Sequence, residues 1–120
     1  MKVAFTTSGK TLDAPMDPRF GRAAGYIIYD MDNETFETVD NQQVLNSAHG
    51  AGIQAAEAIV RLGANCVVTG NCGPNAHRAL SSAGIQIYKT QAETVAEALE
   101  AFRAGALTPL NSANVEGHWS

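Results

Sequence analysis

Residues Cys66–Arg78 place a short valine-rich run, a glycine-bearing loop and a proline-led helix in direct succession. Cys66-Val67-Val68-Thr69 is too short for a helix and reads as a strand buried on both faces. Gly70 ends it. Pro74 opens the helix at the position where its missing N–H costs nothing. Strands joined through helices are parallel neighbours with right-handed connections. This segment therefore restricts the chain to α/β architectures.

The same loop has chemical potential. A strand that feeds a helix leaves unpaired N–H groups at the helix start, and these favour an anion together with the positive end of the helix dipole. Cys72 lies past Gly70 and is expected to be exposed, with a lowered thiol pKa and a preference for soft metals. His77 and Arg78 follow one turn on.

The flanking segments extend the pattern. Val3–Thr7 alternates as a strand, and Tyr26–Asp30 and Thr35–Val39 form a hairpin about the Asp32-Asn33-Glu34 turn. From Ile53 the period is helical, with Ile53, Ala56 and Val60 on one predicted face and Gly63 as the stop. The helix from Pro74 uses Ala76, Leu80 and Ala83 and ends at Gly84. Ile85–Tyr88 is a fifth strand. Thr94 and Glu97 form a capping box for a last helix buried through Val95, Leu99 and Phe102, with Gly105 as its stop. The order β-β-β-α-β-α-β-α predicts a mixed five-stranded sheet covered by helices. One domain spans residues 1–107, and 108–120, with His118 and Trp119, forms an irregular tail. Ligands of such sheets sit outside the carboxyl ends of the parallel strands, here at Asn71 and Cys72.

Composition narrows the partners. The chain has 120 residues, 45% of them hydrophobic, enough for one globular core. A net charge of −4 argues against a general nucleic-acid or anionic-membrane binder. No apolar run approaches the roughly 20 residues of a bilayer span. The N-terminus enters a strand without a signal-peptide pattern, so the expected location is cytoplasmic. Cys66 and Cys72 are expected as thiols: Cys66 as a small buried hydrophobe, and the pair too widely spaced for a two-residue zinc or redox motif.

Five stretches then align with a known family: Asp17-Pro18-Arg19-Phe20-Gly21-Arg22-Ala23, Gly50-Ala51-Gly52-Ile53-Gln54-Ala55-Ala56, Thr69-Gly70-Asn71-Cys72-Gly73-Pro74-Asn75-Ala76, Gly84-Ile85-Gln86-Ile87-Tyr88 and Thr94-Val95-Ala96-Glu97-Ala98-Leu99. In order and spacing they resemble the dinitrogenase iron–molybdenum cofactor biosynthesis family, over about residues 1–107. The resemblance is to its small stand-alone members of the orange-protein type. It implies an RNase H-like fold and the binding of a metal–sulfur cluster. That cluster is an iron–molybdenum cofactor precursor in some members and a molybdenum–copper sulfide, held without the usual cysteine ligation, in the orange-protein type.

Each candidate residue has a plainer reading beside the functional one. Arg19 and Arg22 can clamp a sulfide- or oxo-rich anion, or be solvated while Phe20 anchors the loop and Gly21 turns it. His49 with Gly50 and Gly52 can contact a cluster, since glycines allow close approach and histidine ligates metal. The plain alternative is an ordinary helix start, and a lone Gly-x-Gly is no dinucleotide fingerprint. Cys72 can ligate, but an iron–sulfur cluster normally needs about four ligands. Asn71, Gly73 and Asn75 supply the loop amides. His77 is more often a surface residue.

A nuclease is rejected. Val3–Thr7 carries no acidic residue where clustered carboxylates would hold two metal ions, and no serine-hydrolase, P-loop or zinc-protease motif is present. The sequence reading is a non-enzymatic carrier of an anionic metal–sulfur cluster, held non-covalently in a groove of three loops, Arg19–Arg22, His49–Gly52 and Asn71–His77. Cys72 and His49 are its candidate metal ligands. Cluster-donor or acceptor proteins are the implied partners, and the chain is expected as a monomer or weak dimer. The alternative is a regulatory module for a small phosphorylated or carboxylated ligand.

Overall fold

A computed structural model describes residues 1–41 and 51–114. The strands are β1 (Lys2–Thr7), β2 (Gly25–Asp30), β3 (Thr35–Asp40), β4 (Cys66–Thr69), β5 (Gln86–Lys89) and β6 (Thr108–Pro109). The helices are α1 (Ala51–Arg61), α2 (Pro74–Ser82) and α3 (Val95–Arg103). They form one sheet in the order β3-β2-β1-β4-β5-β6. β1, β4 and β5 are parallel, and the remaining pairings are antiparallel. The five predicted strands are present. The sixth is two residues of the segment expected to be irregular; it carries no periodic signal because so short a strand has no alternation to read.

Alternation along the central strands sends side chains into two cores. Ala4, Ile28 and Val67 meet Ala55, Ala56 and Ile59 of α1 and Ala76 and Leu80 of α2 on one face. Val3, Phe5, Ile27 and Val68 meet Val95, Ala98 and Leu99 of α3 on the other. The result is three layers, two helices, a sheet and one helix. Thr94 caps α3 as predicted, its Oγ1 accepting from the Glu97 N–H at 3.2 Å. Gly63 and Gly84, with φ of 78° and 79°, stop α1 and α2 in the left-handed conformation glycine tolerates.

The buried stripe of α1 differs from the predicted one. Ala56 is buried as predicted, but Ile53 and Val60 are 40% and 48% exposed, and Ala55 and Ile59 are buried in their place. The small alanines let α1 lie close to α2, and that packing sets which way the helix is turned. Ala83 of the predicted α2 face is exposed beyond the helix end.

The long segment between β1 and β2 crosses from one core to the other. Leu12 and Met16 pack on the α3 side, and Phe20, 1% exposed, is buried on the α1/α2 side. Its ring lies 6.3 Å from that of Tyr26. Phe20→Ala is expected to cost about 3–5 kcal/mol, the usual range for emptying a buried aromatic site. Urea unfolding measures it, and a loss under about 1 kcal/mol would mean that Phe20 does not anchor this segment.

Candidate functional site

The carboxyl ends of β1, β4 and β5 lie on one edge of the sheet. Thr6 at the end of β1 ties down the first loop: its Oγ1 donates to the Asp17 carbonyl at 2.6 Å, and the Asp17 N–H donates to the Thr6 carbonyl at 2.9 Å. Thr7 Oγ1 donates to the Pro15 carbonyl at 2.7 Å. The loop then meets the turn after β4. The Asn71 N–H donates to the Pro18 carbonyl at 2.6 Å, and the Phe20 N–H donates to the Asn71 carbonyl at 3.1 Å. This parallel bridge pairs Arg19 with Asn71. Two of the three predicted walls are thus joined by backbone hydrogen bonds.

Gly70 makes the junction possible. A Cβ there would sit 2.8 Å from Pro18 Cβ and 3.0 Å from Pro18 Cα. The glycine serves close approach here, since a side chain would push the two loops apart.

The predicted residues divide. Arg19 is exposed, and its Nε lies 3.3 Å from Asp17 Oδ1, so its charge is already partnered. Gly21, with φ of 93°, turns the chain between Phe20 and Arg22. Arg22 is half-buried, and no carboxylate among the described residues pairs with it. Gly73 is the N-cap of α2, and Asn75 sits half-buried in its first turn. Gly52 is buried in the first turn of α1. His49 and Gly50, like His118 and Trp119, lie outside the described residues.

Cys72 corrects the sequence reading. It is fully buried in the core with Phe20, Tyr26, Ala55 and Ala76, rather than exposed in a loop. Its Sγ lies 3.7 Å from the Gly73 carbonyl oxygen. Burial pushes the thiol up from 9.0 to about 12, opposite to the lowered value expected at a helix N-terminus. Desolvation outweighs the helix dipole because the side chain turns inward from the loop. Cys66 is buried as expected, and its thiol is also raised by burial.

The outer side of this loop is covered by the chain after β6. Asn114 Oδ1 accepts from the Cys72 N–H at 2.8 Å, and its Nδ2 donates to the Gly70 carbonyl at 3.3 Å and to Asn71 Oδ1 at 3.2 Å. The Asn114 N–H donates to the Cys72 carbonyl at 3.1 Å. His77 fastens the same strap, with Nε2 2.8 Å from the Leu110 carbonyl oxygen and Nδ1 3.4 Å from Ser81 Oγ. Sequence reasoning missed Asn114, because an asparagine in an aperiodic tail has no signal until the fold brings it to the loop.

Beside Asn71 lies a crevice of about 410 Å³, lined by Met16, Pro18, Asn71, Lys89, Thr90 and Gln91 among others. Sequence reasoning missed Lys89 and Gln91 as well. The rule that ligands sit at the carboxyl ends of parallel strands could have found them, had it been applied to β5 as it was to β4. Among the described residues no three His, Cys, Asp or Glu side chains gather as a metal-ligand set.

Fold and site define a small α/β protein with a loop-built edge at the carboxyl ends of its parallel strands. The chain belongs to the family described as dinitrogenase iron-molybdenum cofactor, which matches residues 1–105. It is similar to the orange protein of Desulfovibrio gigas, solved in its apo form, with 38% identity and a TM-score of 0.92 over 95% of this chain and 96% of that one. It is also similar to a Thermotoga protein named as a NifB candidate of the DUF35 family and solved by NMR, with 34% identity and a TM-score of 0.84 over 95% and 97%. An uncharacterised protein of Methanocaldococcus jannaschii is 29% identical over 110 residues, 89% of each chain.

Two outcomes test the site. Gly70→Ala is expected to destabilise the protein by about 1–3 kcal/mol through overpacking against Pro18; calorimetry checks it, and an unchanged melting temperature would contradict the close approach. Cys72 supplies the second. Its folded value is raised, so its stability contribution is complete below pH 9.0 and is lost as pH rises toward about 12. Wild type should lose stability faster than Cys72→Ala across that window, by up to about 1.4 kcal/mol per pH unit. Parallel unfolding curves from pH 8 to 11 would contradict a buried thiol.

Proposed function

We propose that the protein is a non-enzymatic carrier of an anionic metal–sulfur cluster, of the molybdenum–copper sulfide or iron–sulfur/iron–molybdenum type. The observation that carries this reading is the backbone junction between the Arg19–Arg22 loop and Asn71. It joins two glycine-bearing loops at the carboxyl ends of the parallel strands. The family membership and the 38% identity to the orange protein support a cluster as the anion. The cluster is cargo in this reading. Charge and side-chain hydrogen bonds hold it, and Cys72 is no ligand while it stays buried. Arg22 is an available cation, with no paired carboxylate among the described residues. Loose, non-covalent holding suits a protein that receives a cluster from one partner and passes it to another. No helix among the described residues is long and apolar enough to cross a membrane.

The test is reconstitution. Protein incubated anaerobically with tetrathiomolybdate and Cu(I), or with an iron–sulfur precursor, should gain visible absorbance and a raised melting temperature. Cys72→Ser should still do so, and Arg22→Gln should do so more weakly. Stabilisation by nucleotides or simple carboxylates, with none by sulfide-bearing metal anions, would replace the carrier with a regulatory module for a small organic anion.

A further inference from the structure

We propose that the crevice between the carboxyl ends of β4 and β5 is the anion seat, with the Lys89 ammonium as its charge partner and the Met16 thioether as its soft contact. This rests on the carrier reading for the cluster as occupant, but the seat itself follows from topology and charge.

β4 and β5 are adjacent and parallel, with Thr69 beside Lys89. From β4 the chain passes to α2, on the face of Ala76 and Leu80. From β5 it passes to α3, on the opposite face of Val95 and Leu99. The two connections diverge to opposite sides of the sheet, which opens a crevice between the strand ends. In open α/β sheets ligands bind outside the carboxyl ends of the strands, and this crevice lies at two such ends. The crevice here holds about 410 Å³, within the usual range of small-ligand sites.

Its chemistry is selective. The chain carries 12 acidic and 8 basic side chains, yet none of the described residues lining the crevice is acidic. Lys89 is exposed and forms no ion pair among the described residues. Arg19, by contrast, is partnered by Asp17 next door. Lys89 therefore presents a cation without a competing carboxylate at hand. Thr90 and Gln91 add a hydroxyl and a carboxamide, and Asn71 adds a second carboxamide whose Oδ1 is already taken by Asn114. These groups can donate to the rim of an anion. Met16 is half-buried and contributes the one sulfur of the lining. A thioether favours soft metals such as Cu(I) over hard ones. No aromatic side chain among the described residues lines the crevice. The combination fits a compact, sulfide-rich anion.

The test follows backbone amide NMR shifts of the full chain during titration with tetrathiomolybdate, alone and with Cu(I), and in parallel with molybdate. Wild type should show shifts concentrated at Asn71 and at residues 89–92. Lys89→Gln should weaken binding about fivefold, the span of one partly solvated ion pair, Lys89→Glu more, and Lys89→Arg little. Met16→Leu should weaken only the copper-containing complex. Tight binding that leaves residues 89–92 unshifted and is untouched by Lys89→Glu would overturn the seat while leaving the carrier reading intact. Molybdate shifts at the crevice, lost in Lys89→Glu, with no thiomolybdate binding, would keep the seat and overturn the sulfide cargo. No shift with any of the three probes would overturn the seat and the molybdenum–sulfide cargo together.

Discussion

The backbone bridge between Pro18, Phe20 and Asn71 is the constraint on which the candidate site depends. Two hydrogen bonds, of 2.6 and 3.1 Å, join loops that are about fifty residues apart in sequence. They form only because Phe20 is held in the core and because Gly70 has no Cβ to meet Pro18. The bridge also uses the main-chain groups of Asn71, which satisfies buried backbone polarity at an edge where no strand continues. What is left to face a ligand is side chains: Lys89, Arg22 and the carboxamides near Asn71.

The division of labour between inner and outer surfaces follows from desolvation. Cys72 points inward and behaves as a small hydrophobe, its thiol raised to about 12 by burial. Outward, the loop's polar groups are met by Asn114, whose carboxamide satisfies the Cys72 N–H and the Gly70 carbonyl. The protein thus spends the chemistry expected of a reactive loop on cohesion. One strand over, Lys89 at the end of β5 and Met16 of the first loop line the crevice proposed as the anion seat.

Much of the fold was legible in the sequence. The valine run at Cys66–Thr69, Pro74 at the helix start and the Thr94 cap each state their structure locally, and all three stand as read. The stripe of α1 was legible only at Ala56; Ala55 and Ile59 fill the rest of the buried face because packing against the sheet and α2, and not local period, sets the helix's rotation. β6 was invisible because two residues have no period. The site was half legible. Asn71 was found through the strand-end rule and the family motif, but the orientation of Cys72 depends on long-range packing with Phe20 and Ala55, which no local pattern records. Asn114 and Lys89 join the site only through folding, one from a tail and one from a strand paired beside β4.

The proposed carrier role, with the ligand held by shape and charge, turns on what the protein contains in the cell. The most direct measurement is elemental analysis with an absorption spectrum on protein purified without oxygen from its native host. The account predicts molybdenum, copper or iron together with sulfide in a fixed ratio to protein, and a visible band lost on denaturation. Colourless, metal-free protein that carries a stoichiometric organic anion would contradict it.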